Sequence, residues 1–586
     1  RLVVTAFEGS TLIDEYETVF SVVDHPAHDV RFGFHTTFAD PSLDFDEIAR
    51  ILADHHVNVV EYYDYFPAHG DYAPTELTYT NEPFNAQFIH TENITGKIEA
   101  NRERGITNLA YIAAYSAIPS IAAETSDYLL DQDDEPFVFY EGNVGTQSDL
   151  GGVWFRLMGF APDTDWFAFL RQELQRTLDD SPEDRVAFDG FEIDSYGLTG
   201  PYRSSGSAYN GTPIEEVLAD TAAEIRTLTR AIRPQGMVTS NAIAENGIEN
   251  FYDSIDFLFV ENWAFHKPAY RDVFEMVARN QALSGLRFVS KCYPADMETP
   301  RTSWPTQNLR YLMGAHIAAG GSLMVAGEPD PGTGQLGALN SLYYPDFVLA
   351  SAEKQSIIQR YNRHDAALYG YNHGPGARPR ATDLPREQSA LGSFQNQRGD
   401  LTYCFVNLRE NEMWTLPSSS PAPLPAREIT LPLPNAARAT GVFFGTPDES
   451  HSVYPAPLSF DPSPSAVSFT LPEIDTLASL VITTETPPKR AHATAAGDDF
   501  GWNGGWQLAG ENLPAAGHFT ASSILNNPED NNLDNDIDRE RISWGMFSGT
   551  SALVDATRAF EPLRPGEILQ LHFDNGFISP GGSAGF

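Results

Sequence analysis

Between residue 30 and about residue 385 the chain alternates short apolar runs with amphipathic stretches, and this alternation constrains the fold more than any other feature. Strand-like runs fall at 30–37, 57–65, 107–115, 187–194, 236–242, 256–262, 286–292 and 321–327. Between them lie helix-like stretches, among them 42–55, 164–180, 214–232 and 304–319. In 214–232 the apolar residues Ile214, Val217, Leu218, Ala222, Ile225 and Leu228 recur at helical spacing. Runs at 137–141 and 153–160 read as a hairpin inserted between the third and fourth strands, and 346–372 as closing helices. Eight strands, each followed by a helix, predict an α/β chain with a (β/α)8 TIM barrel over 30–385.

After that point the texture changes. Prolines cluster at 417–425 and short alternating runs replace helical periodicity. We expect a Greek-key β-sandwich over 386–487, a linker at 488–497 and a further β-rich module over 498–586, which shows no closing strand signal and reads as truncated. Residues 1–29 hold two strands, too few for an independent sheet, and read as the remnant of an N-terminal β domain. The first residue is Arg1, and no export signal is visible.

Charge narrows the partners. Eighty acidic residues face 37 basic ones, a net of −43, and only Lys97, Lys267, Lys291, Lys354 and Lys489 are lysines. Carboxylates this dense repel one another in dilute buffer and are screened by salt, so the composition predicts adaptation to high salt. Nucleic acid is excluded as a partner by like charge. No run approaches the roughly 20 apolar residues of a membrane-spanning helix. Cys292 and Cys404 lie in different expected domains, without the clustered histidines of a structural zinc site, and Cys292 reads as a small buried apolar residue.

Catalytic groups of such a barrel belong at the C-terminal strand ends. The fourth strand ends Asp189-Gly190-Phe191-Glu192-Ile193-Asp194, and alternation puts Glu192 and Asp194 on the inner face. The sixth, FLFVENW, ends in Glu261 beside Trp263, with Glu261 its only acid. Two carboxylates facing each other at strand ends suit glycoside hydrolysis, as nucleophile and general acid/base; the alternative is a pair of solvated edge acids. Tyr63, Asp64, Tyr65 and His69 cluster after the second strand, and Tyr115 ends the third. Aromatic faces with polar neighbours suit sugars, whereas Tyr62 and Tyr111 read better as core. Asn241 reads equally as a sugar ligand or a structural residue, His69 equally as a ligand or a loop histidine, and Lys291 equally as a functional or a salt-bridge residue. Asp534, Asp536 and Asp538 alternate as in a Ca²⁺ loop but lack its turn glycine and distal glutamate, so a solvated acidic loop is the better reading. No other cofactor is called for.

These residues carry a resemblance. The segments HHVNVVEYYDYFPAH, AYIAAYSAI, FDGFEIDSYG and DFLFVENW, in this order, resemble motifs of glycoside hydrolase family 66, the dextranases and cycloisomaltooligosaccharide glucanotransferases. The resemblance implies a secreted, retaining, endo-acting enzyme on α-1,6-linked glucan, with Asp194 as nucleophile and Glu261 as acid/base. It implies substrate contacts from Tyr63, Asp64, His69, Tyr115, Glu192, Asn241, Trp263 and Glu328, with Tyr343, Tyr344 and Pro345 at further family positions. Glu192 stands where the family usually carries a non-acidic residue, often His, and its charge is expected to perturb Asp194. Tyr65 replaces a usual Trp, and the family's N-terminal immunoglobulin-like domain is almost entirely missing. No room is seen between Glu261 and residue 345 for the binding module of the cyclising enzymes, which favours hydrolysis over transglycosylation. A glucan-binding protein with an inactive barrel is the remaining alternative, disfavoured by the presence of both carboxylates.

Overall fold

The computed structural model describes residues 2–484 except 9–10, 22, 41, 82–86, 141–142, 147–152, 180–185, 196, 264, 294–304, 340–346, 375–376, 381–391, 409–411, 421, 434–438, 449–452 and 464–465, together with the strands 506–510 and 554–558. Two compact units result, 23–485 and 1–22 with 486–586. In the smaller, Leu2–Glu8 pairs antiparallel with Thr11–Thr18, and Trp506–Gly510 with Val554–Arg558. The expected linker, the three alternating aspartates and Tyr343, Tyr344 and Pro345 lie outside the described residues.

The larger unit opens with parallel strands β1 (Phe32–His35), β2 (Val59–Tyr62), β3 (Thr107–Ile112), β4 (Gly190–Ile193), β5 (Met237–Ser240), β6 (Leu258–Asn262), β7 (Phe288–Cys292), β8 (Ser322–Leu323) and β9 (Ala326–Asp330). Each expected run contains a strand, and the eighth contains two. β5-β4-β3-β2-β1-β9 run side by side in one sheet, and β6-β7-β8 form a second. A bridge between Asn241 and Phe259 joins the sheets, and Met324 N–H donates to Ser290 at 2.9 Å in the break between β8 and β9. The observed architecture is therefore α/β in two parallel sheets rather than one closed ladder. The insertion before β4 is antiparallel, with Phe137–Tyr140 between Asn143–Thr146 and Val153–Leu157.

Local chemistry sets the helix limits. Asp44 caps the helix Phe45–Asp54 by accepting from Glu47 N–H at 3.0 Å, and Thr164 caps Asp165–Leu178 through Phe167 N–H at 3.2 Å. Tyr270–Ser284 and Thr306–Ala319 stop at Gly285 and Gly320, whose φ of +73° and +85° favours glycine. The helix Ile214–Ile232 buries the six residues whose spacing announced it.

The described strands between 378 and 483 form two antiparallel sheets whose inner faces bury Leu401, Tyr403, Ile429, Leu431, Phe469 and Leu480. The sandwich seats on the α/β part through Asn308, which donates to Trp414 O at 2.9 Å, and Tyr361, which donates to Asp448 at 2.9 Å.

One buried ion pair ties β9 to β1. Lys97, on the helix Thr91–Glu103, donates to Glu328 Oε1 at 2.6 Å and Thr37 O at 2.7 Å, with its side chain 0 % exposed. Glu328 Oε2 accepts from Thr36 N–H at 2.8 Å and lies 3.3 Å from His35 Nδ1. Lys97 and His35 hold the Glu328 carboxyl well below the usual carboxylate range despite burial. Removing one partner strands the other charge. Lys97→Met should cost about 3–5 kcal/mol in chemical denaturation, and adding Glu328→Gln should recover most of it. A loss below about 1 kcal/mol would contradict this account of the pair.

Candidate active site

The C-terminal ends of β4, β5, β6 and β7 converge on a small set of polar groups. Asp194 follows β4 directly, and its backbone still pairs with Ile112 O at 2.8 Å, so the ladder fixes its position. Its carboxylate accepts three hydrogen bonds: Tyr111 Oη to Oδ2 at 2.8 Å, and Asn241 Nδ2 and Ser195 N–H to Oδ1 at 2.9 and 2.8 Å. Asn241 is bifunctional, because its Oδ1 accepts from Glu261 N–H at 3.2 Å. One amide thus holds the side chain of one acid and the backbone of the other.

Glu261 has different surroundings. Its Oε1 accepts from Tyr293 Oη at 2.6 Å and pairs with Lys291 Nζ at 2.7 Å. The Lys291 ammonium also sits 4.8 Å from the Tyr293 ring centroid. The Glu261 side chain is 13 % exposed, while that of Lys291 is 1 %. Both donors use one oxygen, which leaves Oε2 for an incoming group.

Burial pushes the Asp194 carboxyl up to about 6, the charge of Glu261 adds to the rise, and the bonds from Tyr111 and Asn241 oppose it. The sequence placed the perturbing like charge on Glu192; the structure assigns the larger effect to Glu261. Two neighbouring acids with different donor sets can divide the work of nucleophile and proton carrier.

The other expected site residues separate into groups. Tyr63 and Trp263 are half-buried, Tyr63 packing tilted against Tyr111 at 4.6 Å and Trp263 packing between Tyr293 and the exposed Phe265. Asn241 is in the site, orienting both acids. His69 and Tyr115 are each 2 % exposed and pack as aromatic core, His69 stacked on Phe155 at 4.6 Å and Tyr115 against Phe160. Burial pushes His69 down to about 3, so its ring is neutral. Asp64 is buried with a left-handed φ of +52°. Glu328 is 2 % exposed, and Lys97, Thr36 N–H and Thr37 N–H donate to its oxygens. Glu192 is 1 % exposed and lies beneath Asp194 on the same strand.

Sequence reasoning missed Tyr111 and Tyr293, the phenols that bind the two acids, and Glu61, a 1 % exposed acid on β2. Glu61 carried the signal that found Glu261, a lone acid in an apolar run. Lys291 proves to be a salt-bridge residue, and Cys292 is fully buried. Among the described residues, Asp29, Asp365 and His373 are the trio whose donor atoms converge as a metal site would require. Arg31 and Arg287 already pair with those two carboxylates, so the cluster reads as an ion-pair network.

The sequence profile of glycosyl hydrolase family 66 matches residues 2–372. The structure is similar to that of a cycloisomaltooligosaccharide glucanotransferase from a Paenibacillus species complexed with cycloisomaltoheptaose: TM-score 0.65, 14 % identity, 80 % of this chain and 87 % of that one. A maltogenic α-amylase from Thermotoga neapolitana gives a TM-score of 0.47 at 9 % identity, over 78 % of this chain and 99 % of that one. No curated protein matches.

The Asp194 environment makes a prediction that needs no substrate. A carboxyl raised in the folded state contributes stability below the unfolded value, near 4, and that contribution is lost as pH rises through about 6. Asp194→Asn is neutral at every pH, so relative to the parent protein it should gain about 2–3 kcal/mol between pH 4 and pH 8 in chemical denaturation. A stability difference that does not change with pH would show that the site does not strain this charge.

Proposed function

This chain belongs to glycosyl hydrolase family 66, and from that premise we propose that it is a retaining, endo-acting glycoside hydrolase that cuts α-1,6-glucosidic bonds in dextran-like glucan. Its being a glycoside hydrolase follows from the family; bond type, stereochemistry and mode of attack are our reading. The observation that carries it is the Asn241 bridge between two acids of unlike surroundings.

We read β1–β9 as one (β/α)8 barrel, with β8 and β9 as its eighth strand. The registers support this. Asp194 pairs alongside Asn241, and Asn241 bridges Phe259, so Glu261 lies two residues ahead along β6. A barrel of this type advances about one residue per strand, which puts Asp194 and Glu261 in one layer of the interior.

In the first step Asp194 attacks the anomeric carbon while Glu261 gives its proton from Oε2 to the leaving glycosidic oxygen. The bonds from Tyr111, Asn241 and Ser195 align the Asp194 carboxylate, and Lys291 and Tyr293 fix the Glu261 carboxyl through its other oxygen. In the second step Glu261 takes a proton from water, which attacks the same carbon and releases Asp194. Tyr63 and Trp263, the half-buried aromatics at the strand ends, offer faces to the sugar rings. Glucan is a polymer too large to enter a cell, which supports an extracellular setting; among the described residues no helix is long and apolar enough to cross a membrane. The acidic composition supports work in high salt.

The parent enzyme should release reducing sugar from dextran, with the α-anomer formed first. Its kcat/KM should fall about tenfold per unit as pH drops below about 6, where Asp194 takes up its proton. Asp194→Asn should lose about 10³-fold or more on every substrate. Glu261→Gln should lose activity on dextran and keep much more of it on a glucoside whose leaving group needs no proton. Full dextran activity in either variant would overturn the assignment. Oligosaccharide transfer products dominating at high dextran would shift the reading to transglycosylation.

A further inference from the structure

Glu192 is the interior group that this mechanism leaves without a task. It is 1 % exposed, and neither carboxylate oxygen has a hydrogen-bond donor. A bare carboxylate in such a place is costly, so it must be neutralised or paired. Lys291, a cation whose charge acts on Glu192, pairs with Glu261 at 2.7 Å.

The registers show what lies beside it. Glu61 on β2 is opposite Leu109 on β3, and Leu109 is opposite Gly190 on β4. Glu192 therefore lies two residues further along, two strands away. With the barrel's advance of about one residue per strand, Glu61 and Glu192 share one interior layer, directly below that of Asp194 and Glu261. Both are 1 % exposed. Two carboxylates side by side away from water do not both ionise, and a proton between them gives one a donor and the other an acceptor.

We propose that Glu61 and Glu192 share one proton beneath the reacting pair, so that the two acids together carry a single negative charge and Glu192 is a positioning residue for the nucleophile. The charged and titratable groups facing Glu192 are Glu61 from β2, Tyr111 from β3, Asp194 on its own strand, Glu261 from β6 and Lys291 from β7. Burial and the charges of Glu61, Asp194 and Glu261 push the Glu192 carboxyl well above the usual carboxylate range, and Lys291 only partly opposes them. The shared proton spares Asp194 a second negative charge from below, which keeps the nucleophile ionised at lower pH than two carboxylates would allow. This role rests on the function proposed above; the sharing itself does not.

Infrared spectroscopy of the unmodified enzyme at pH 8 tests the sharing without a substrate. A protonated carboxyl C=O band should be present, should vanish in Glu192→Gln and should shift in Glu61→Gln, where an amide replaces the acceptor. No band at pH 8, no band lost in Glu192→Gln, or a band that Glu192→Gln removes but Glu61→Gln leaves unmoved would each overturn the proposal. The kinetic test follows the charge. Glu192→Gln leaves one negative charge, so the acidic limb of kcat/KM should stay within about 0.3 pH unit, whereas Glu61→Gln with Glu192→Gln removes it and should lower the limb by about half a unit to one unit. A limb lowered by Glu192→Gln alone would mean that both acids are ionised, and one unmoved by the double variant that both are neutral; either result contradicts the proposal. An inactive enzyme that shows the band would instead sink the functional reading and leave the shared proton standing.

Discussion

A carboxylate taken out of water has to be paired, be protonated or be placed where its charge is used, and the interior of the α/β part contains all three solutions. Glu328 is paired with Lys97 and backbone N–H groups, and its proton is held off by that pairing. Asp29 and Asp365 are paired with Arg31 and Arg287. Glu192 has no hydrogen-bond donor and feels the charges of other acids, which is the case for the proton it is proposed to share with Glu61. Asp194 and Glu261 sit at the strand ends, partly open to solvent, Asp194 with donors on both oxygens and Glu261 with both of its donors on Oε1.

The same constraint gives meaning to the chain's composition. The sequence has five lysines, and two of them, Lys97 and Lys291, have side chains 0 % and 1 % exposed in contact with Glu328 and Glu261. A chain that places few lysines on an acidic exterior still spends two inside, where a compact ammonium matches a single carboxylate oxygen. Lys97 fastens β9 to β1, and Lys291 fixes the Glu261 carboxyl. The frame and the site therefore use one kind of contact, at different depths.

How much of this was legible depended on how local the cause was. Strand and helix positions followed from periodicity, because each depends on residues within one turn or one pleat; the helix over 214–232 is the clearest case. Asp194 and Glu261 were visible as acids ending apolar runs. Glu61 showed the same sign on β2, but the neighbouring Tyr-Asp pair drew the reading away from it. Tyr111 looked like core because its ring is core; only its hydroxyl reaches Asp194, and no pattern reveals that. Glu328 was read as a substrate contact from its family position, and its pairing with Lys97, 231 residues away, lies at a distance over which sequence spacing carries no information. His69 and Tyr115 matched motifs by position, while their burial depends on Phe155 and Phe160 from later segments.

The central claim is that Asp194 forms a covalent bond to the sugar. A fluorinated α-glucosyl fluoride, which forms such an intermediate and releases it slowly, tests this most directly when the inactivated enzyme is digested and its peptides are sequenced by mass spectrometry. The account predicts one added sugar per chain, on the peptide that contains Asp194 and on that residue. A label on Glu261 or Glu192, or no adduct from an enzyme that hydrolyses dextran with inversion, would contradict it.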